Sequence, residues 1–323
     1  MDAEKKAVKK VSYGELVAKL LDSLAVCVDE EKEGRTTISS KDAKILRKEL
    51  IAAEKESLVV SKDTLLNWAF LVHDFNRIHV FGDYAREKGF ETTPLHGTLI
   101  AAGYEMYVRR VCEAIYKITG KGLVYSGQAV KLREPSYTRR YLKGGVSWCL
   151  ENIVKTDAGI DLAVSGINSK KQRAVSFYHT QLRNELEKPD SDFVTPFTVP
   201  GNVIERSNIE IKKGEREASY YCLGKKPREE ILMMHPASFI VSTVLKLSSR
   251  RTGSPEGKYM SMDLNFHNIP GLGIFETMIR LPKPPRKAEG YFIYVFDAYC
   301  VQNDMPIVSG RVTCSSEKEI KLD

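Results

Sequence analysis

The feature that most constrains this fold is a long apolar helix followed by a series of short strands. Ile100, Tyr104, Tyr107, Val111 and Ile115 follow one another at steps of four, three, four and four residues. That spacing places the side chains on one face of a helix. A helix with so large an apolar face must be covered by a large surface, so we expect it at the centre of a domain.

Strand-like runs follow this predicted helix, Gly97–Lys117. They are rich in Val, Ile, Tyr and Trp, and turn sequences separate them. We predict strands at 127–132, 145–156, 161–168 and 173–182. One helix followed by an antiparallel meander is typical of an α+β fold.

The second half of the chain repeats this order. An apolar helix begins at His235-Pro236 and continues to about Leu247, and strands are predicted at 259–267, 273–281, 290–302 and 307–315. Sequence identity between the halves is low, so the shared order of elements is the evidence for an internal duplication.

The domain organisation follows from this repeat. The segment 185–200 contains three prolines and interrupts the pattern of strands, as expected at a boundary between units. We predict a helical N-terminal extension over 1–57, a first unit over 58–186 and a second unit over 187–323.

Composition excludes several classes of protein. The 323-residue chain has a net charge of +7, but its basic residues occur as scattered pairs, whereas a nucleic-acid surface needs a clustered patch. No run approaches the roughly 20 apolar residues of a membrane span. The six cysteines are all more than ten residues apart, which excludes zinc-ribbon spacing and predicts reduced thiols and a cytoplasmic location.

The chemistry is concentrated in Asp74-Phe-Asn76-Arg-Ile-His79. On a continuous helix, residues five apart lie about 140° from each other, so Asp74 and His79 can converge only if the chain turns between them. The apolar periodicity stops at His73, which predicts a helix end there. A carboxylate and an imidazole can then share one water and move a proton near neutral pH, and Asn76 can hold the turn. A polar loop without chemistry is the alternative.

This segment, together with Ala85, Phe90, Pro94 and His96-Gly97, resembles the motif of the MaoC-like, or hydratase-2, family of hotdog-fold proteins. That motif runs Gly-Asp-x-Asn-Pro-aliphatic-His, then Ala, Phe and Pro, then His-Gly at the start of the hotdog helix. The motifs cover about residues 58–184, and residues 200–318 match by element order alone. The resemblance implies a tandem, or double, hotdog, in which each unit is a helix wrapped by an antiparallel sheet.

The resemblance also implies a hydro-lyase that reversibly hydrates a trans-2-enoyl thioester. Asp74 and His79 fall on the catalytic positions, and the amide of Gly97 falls where the family binds the thioester oxygen. A free N–H at a helix start suits an enolate oxyanion. Asn76 and His96 are expected to contact substrate, although for His96 a structural role at the helix start is the favoured interpretation over a role as a base. The carrier is CoA or an acyl carrier protein, and no cofactor or metal is expected.

Three departures from the family pattern bear on activity. His73 replaces the glycine before the Asp, and its β-carbon could crowd the loop. Arg77 replaces the proline after the Asn, and we expect it to point to solvent. The second half lacks the motif, so we expect it to be catalytically blank and to line the acyl tunnel.

Several alternatives remain open from the sequence. The protein could be a non-catalytic hotdog that binds an acyl thioester or serves as a structural subunit, or it could be a specialised dehydratase or cyclase of one pathway. A metal site formed by His73, Asp74 and His79 lacks the usual ligand spacing. The chain could also form a homodimer. Cations for the carrier would come from a set of basic residues, namely Arg109, Arg110, Lys131, Arg133, Arg139 and Arg140.

Overall fold

A computed structural model describes residues 15–16, 18–20, 40–55, 57–120, 122–137, 145–156, 159–186, 201–252 and 257–320. In the N-terminal segment, Ser40–Lys55 forms a helix. Its buried residues Leu46, Leu50 and Ala53 join the main core, because this helix packs against the central helix of the first half. The predicted boundary at 185–200 lies mostly outside the described residues.

The first half follows the predicted order of elements. Its helices are Lys62–Val72, Arg77–Val80, Gly82–Glu87 and Gly97–Thr119. Its strands are β1 (Leu58–Val59), β2 (Val124–Leu132), β3 (Gly145–Thr156), β4 (Gly159–Asn168) and β5 (Arg173–Arg183). The central helix, Gly97–Thr119, begins where the sequence predicts and ends two residues later than predicted, before Gly120 in the left-handed conformation.

The second half contains three elements that sequence analysis did not predict: strand β6 (Glu205–Ile211), the helix Lys213–Cys222 and the short strand β9 (Arg286–Ala288). All three are rich in charged residues, so they carry little apolar signal. The central helix Met234–Thr252 and strands β7 (Gly257–Phe266), β8 (Gly273–Arg280), β10 (Tyr291–Gln302) and β11 (Met305–Ser316) complete this half.

The strands that the structure describes belong to one eleven-stranded sheet with the order β1-β3-β4-β5-β2-β7-β11-β10-β8-β6, and β9 lies off this path and pairs with β10. Read from each outer edge, both halves have the same order, in which β6, β8, β10, β11 and β7 correspond to β1, β3, β4, β5 and β2. The two halves join where β2 pairs antiparallel with β7, from Gly127 opposite Asn265 to Lys131 opposite Ser261. This symmetry confirms the internal duplication expected from the element order.

The two central helices pack against each other and against strands of their own halves, and the main apolar core extends through both halves. Tyr104 illustrates the packing. Its ring stacks on Phe177 and its hydroxyl bonds the Thr180 hydroxyl at 2.8 Å, which satisfies the one polar atom of a fully buried side chain. Burying a side chain of this size stabilises the fold by about 1.5–3 kcal/mol. Among the described helices, none is long and apolar enough to cross a membrane.

Candidate active site

The site begins where helix Lys62–Val72 ends. Ser61 caps its start, accepting from the Thr64 amide at 3.1 Å. At its end, His73 adopts the left-handed conformation (φ 56°, ψ 31°), and the next amide, that of Asp74, returns to the Ala69 carbonyl at 3.0 Å. This turn directs Asp74 inward, where it is buried.

The same turn explains the glycine at this position of the family motif. A left-handed residue costs an L-amino acid about 1–2 kcal/mol, and glycine avoids that cost. His73 adopts the conformation with its side chain exposed, so the crowding of the loop considered from the sequence does not occur.

Asn76 holds the next turn, as the sequence predicts. Its side-chain oxygen caps the short helix Arg77–Val80 by accepting from the Ile78 amide at 3.3 Å. Its own amide donates to Oδ1 of Asp74 at 3.2 Å. Sequence analysis predicted a loop here rather than a helical turn, and this turn brings His79 back toward Asp74.

Arg77 points away from the acid, as expected. It is exposed, and its guanidinium lies 4.2 Å from the centre of the Tyr84 ring. This contact fixes the side chain outside the site. The replacement of the family proline by Arg77 therefore leaves the surroundings of Asp74 free of an additional cation.

Asp74 and His79 converge, together with a third group, His96. One side-chain oxygen or nitrogen of each residue lies within 4.8 Å of the others. Oδ2 of Asp74 is 3.0 Å from Nδ1 of His96, and the two imidazole rings are 4.0 Å apart at their centres. Nδ1 of His79 is 2.9 Å from the Pro94 carbonyl oxygen, which can only accept, so Nδ1 carries a proton. Nε2 of a neutral His79 is then the proton acceptor.

Burial and neighbouring charges set the protonation of the pair. Burial lowers the pKa of His79 from 6.5 to about 3, and His96 adds to this effect, while the Asp74 carboxylate opposes it. Burial also tends to raise the pKa of Asp74. The net shift of that pKa is nevertheless downward, because the attraction and hydrogen bond of His96, the attraction of His79 and the Asn76 amide together favour the carboxylate. At neutral pH the site therefore holds a carboxylate beside a neutral imidazole.

Gly97 is the first residue of the central helix. Its amide has no acceptor among the described residues, as expected in the first turn, and the residue lines the same cavity as Asp74 and His79. A β-carbon at this position would lie 2.7 Å from Cδ1 of Leu132. Glycine thus permits the close approach of Leu132 in the wall of the cavity.

The cavity has a volume of about 220 Å³, and Asp74, Asn76, His79 and Gly97 are among the residues that line it. Its apolar wall includes side chains from both halves of the protein: Ile100, Leu132, Ala174, Val241 and Met262. The second half thus lines the cavity, as the sequence analysis expected.

Two further residues of the cavity wall were not anticipated from the sequence, because no motif marks them. Tyr259 lines the cavity and donates to the Val241 carbonyl at 2.6 Å. Lys258 also lines the cavity, with its ammonium 5.8 Å from the Phe90 ring centre and 5.7 Å from that of Tyr291. Both come from β7, which the sheet places beside β2.

Only part of the predicted set of carrier-binding cations is near the cavity. Arg133 lines it. Arg109 instead bonds Glu105 and Glu230 within the protein, and Arg110 and Lys131 lie outside the cavity wall. Arg139 and Arg140 fall outside the described residues.

The second half lacks the equivalent chemistry for two structural reasons. Pro236 corresponds to Gly97 and has no amide hydrogen. The amides of Met233 and Met234 at this helix start donate to the buried Glu105 carboxylate at 2.9 and 2.8 Å. A buried side chain of the first half therefore takes up two amides at the start of the second central helix.

Metal binding was considered for His73, Asp74 and His79, but His73 is exposed, and His96 takes its place in the cluster. Nδ1 of His96 and Nδ1 of His79 already contact protein acceptors. A cation would have to break these contacts or use the remaining nitrogens. The arrangement is better suited to proton transfer.

Comparison with solved structures identifies the fold. A structure from Chloroflexus aurantiacus described as a MaoC domain protein dehydratase superposes with a TM-score of 0.59 at 9% identity, covering 81% of this chain and 93% of that one. A double-hotdog protein from Mycobacterium tuberculosis superposes with a TM-score of 0.54 at 10% identity, covering 80% and 93%. The fold is a double hotdog. The suspected resemblance to MaoC-like proteins is thus confirmed for the fold.

Sequence comparison finds a protein that is similar to part of this chain. The chain is 30% identical over 83 residues to a mitochondrial 3-hydroxyacyl-[acyl-carrier-protein] dehydratase of Arabidopsis thaliana, a match that covers 26% of this chain and 45% of that protein. The match thus spans less than half the length of this curated relative. No protein-family model matches the chain.

Proposed function

We propose that this protein is an enoyl-thioester hydratase, or 3-hydroxyacyl dehydratase, with Asp74, His79 and Gly97 as its catalytic groups. The observation that carries the proposal is their convergence: a carboxylate, a neutral imidazole and a helix-start glycine whose amide has no acceptor among the described residues line one cavity. The double-hotdog fold and the short match to a dehydratase support it.

The proposed reaction adds water across the C2–C3 double bond. Asp74 and Nε2 of His79 hold the water, which loses one proton to this pair as its oxygen bonds to C3. The electrons of the double bond move to the thioester oxygen, where the Gly97 amide stabilises the enolate. The pair then returns the proton to C2. The reverse sequence removes water, and neither direction needs a cofactor.

The shape and charge of the cavity suggest the substrate. Its volume of about 220 Å³ is below the 300–1,000 Å³ of typical ligand pockets, so we propose a short acyl chain lying against the apolar wall. Lys258 and Arg133 in its lining would attract the phosphates of CoA or of an acyl carrier protein.

A cytoplasmic location remains a prediction from the cysteine pattern.

The test is hydration of crotonyl-CoA, followed by loss of the enoyl absorbance. Asp74→Asn keeps the shape of the side chain and removes its charge, and His79→Ala removes the acceptor. Each should lower kcat/KM by about 10²–10⁴, the scale of general acid–base groups.

The alternative of a binding protein predicts a different outcome. In that case the purified protein would bind crotonyl-CoA and 3-hydroxybutyryl-CoA without converting either one. Unchanged turnover in both Asp74→Asn and His79→Ala would instead place the active site elsewhere. Circular dichroism of each variant checks that the fold survives.

A further inference from the structure

His96 lies behind the candidate catalytic groups rather than in the cavity wall. It is buried, and it is absent from the residues that line the cavity. Its Nδ1 bonds Oδ2 of Asp74 at 3.0 Å. Direct contact with substrate, which the sequence suggested, would require another position, so its effect on a reaction must pass through Asp74 or His79.

The hydrogen bonds of Asp74 show what His96 contributes. Oδ1 accepts from the Asn76 amide at 3.2 Å, and Oδ2 accepts from His96. One donor is backbone within the same turn. The other reaches Asp74 from the start of the central helix, 22 residues along the chain. The two donors together fix the rotation of the carboxylate.

His96 is not serving as an ordinary helix cap. It occupies the N-cap position, but its side chain makes no bond to the amides of the first helical turn. Nδ1 is instead used for Asp74, and Nε2 has no partner among the described residues. A residue selected only to begin the helix would bond those amides, as Ser, Thr, Asp or Asn do.

The second half provides a natural contrast. His235 has the equivalent place at the second central helix, and no carboxylate among the described residues bonds it; its ring interacts instead with the backbone of Leu71. The half with the candidate catalytic loop thus pairs its helix-start histidine with an acid, and the blank half does not.

We propose that His96 is a positioning residue whose Nδ1–H holds the Asp74 carboxylate in its reactive orientation. The proposal rests on the hydratase function argued above. Because His96 directly precedes Gly97, one helix start then sets the position of both the acid and the oxyanion donor.

The test compares three variants with the wild type. In His96→Asn the amide nitrogen can take the place of Nδ1, in His96→Gln the amide nitrogen is displaced toward the place of Nε2, and His96→Ala has no donor. We expect His96→Asn to keep kcat for crotonyl-CoA hydration within about threefold. His96→Gln and His96→Ala should lose about 10- to 100-fold in kcat, the effect of a misplaced catalytic group, with little change in KM.

The pH profile provides a readout that a purely structural role would not move. Asp74 also faces His79, the Asn76 amide and Tyr259, none of which changes in these variants. Loss of His96 removes a contact that favours the carboxylate, so the acid limb of kcat/KM should move to higher pH in His96→Ala and stay in place in His96→Asn.

Two results would overturn the proposal. The first is a His96→Ala variant that keeps the kcat and the pH profile of the wild type. The second is an equal loss of kcat in all three variants, because such a loss would come from the packing of the ring. An inactive wild type would refute the hydratase function instead. The positioning role would then be decided by titrating the Asp74 carboxyl by carbon NMR. A higher pKa in His96→Ala than in His96→Asn supports it, and equal values refute it.

Discussion

Replacing Gly97 with proline would test the oxyanion role directly, because it reproduces the residue that the second half has at Pro236. Proline is favourable at the first position of a helix. The preceding residue, His96, already has the extended backbone that proline requires (φ −60°, ψ 132°). The substitution therefore removes one N–H while the helix start keeps its conformation.

The magnitude follows from the geometry of the site. The Gly97 amide has no acceptor among the described residues, and Gly97 lines the cavity, so removal of this N–H breaks no hydrogen bond that the structure describes. Loss of one oxyanion donor typically costs about 10²–10³ in kcat, or about 2.7–4 kcal/mol of transition-state stabilisation. We expect Gly97→Pro to show this loss in kcat with a much smaller change in KM.

The matched control is Gly97→Ala. It adds the β-carbon that would lie 2.7 Å from Leu132 Cδ1 but keeps the N–H. Both variants are compared in a Leu132→Ala background, which removes the contact, using crotonyl-CoA hydration and thermal unfolding. If both variants are folded and the kcat of Gly97→Pro lies within threefold of that of Gly97→Ala, this amide does not stabilise the transition state.

Three further results are expected. Because the pKa values of Asp74 and His79 are both lowered, kcat/KM should stay level from pH 7.5 down to about 5, and an acid limb near pH 6.5 would show that His79 keeps its ordinary pKa. Lys258→Ala should raise KM for crotonyl-CoA by about two- to fivefold at low salt only. Lys258→Arg, which keeps the charge, is the control. An increase in KM that does not depend on salt would contradict a charge contact. His235→Phe should leave turnover per folded molecule unchanged. Burial lowers the pKa of His235 to about 4, so only the unfolded chain takes up its proton between pH 6.5 and 4. The wild type should therefore lose about 1 kcal/mol more unfolding free energy than the variant between pH 7 and 5.5, as urea unfolding would show, and an equal loss would indicate a charged His235 in the fold.

The elements that sequence analysis found are those with strong local signals. The spacing of apolar residues predicts the central helix, and runs of β-branched and aromatic residues predict the long strands. Strand β6 and helix Lys213–Cys222 were missed because their stability comes from packing on neighbouring elements, with only a few buried residues each. Helix and strand propensities alone are weak when tertiary contacts decide.

Within the candidate site, the sequence by itself determined the local turn. The periodicity stops at His73, and the spacing from Asp74 to His79 requires a turn, which Asn76 stabilises through bonds to groups two residues away. Such contacts depend on neighbours along the chain, so they can be read from it. The conformation of His73 is also local, although only the structure shows that an exposed histidine adopts it.

Only the tertiary structure decided which distant groups join that turn. His96 meets Asp74 because the central helix packs against the loop, and Lys258 and Tyr259 reach the cavity because β7 pairs with β2. The Glu105 carboxylate accepts hydrogen bonds at the start of the second central helix because the two central helices pack against each other. Register and packing are properties of the assembled core, in which every side chain competes for the same volume, and no spacing within a short segment encodes them.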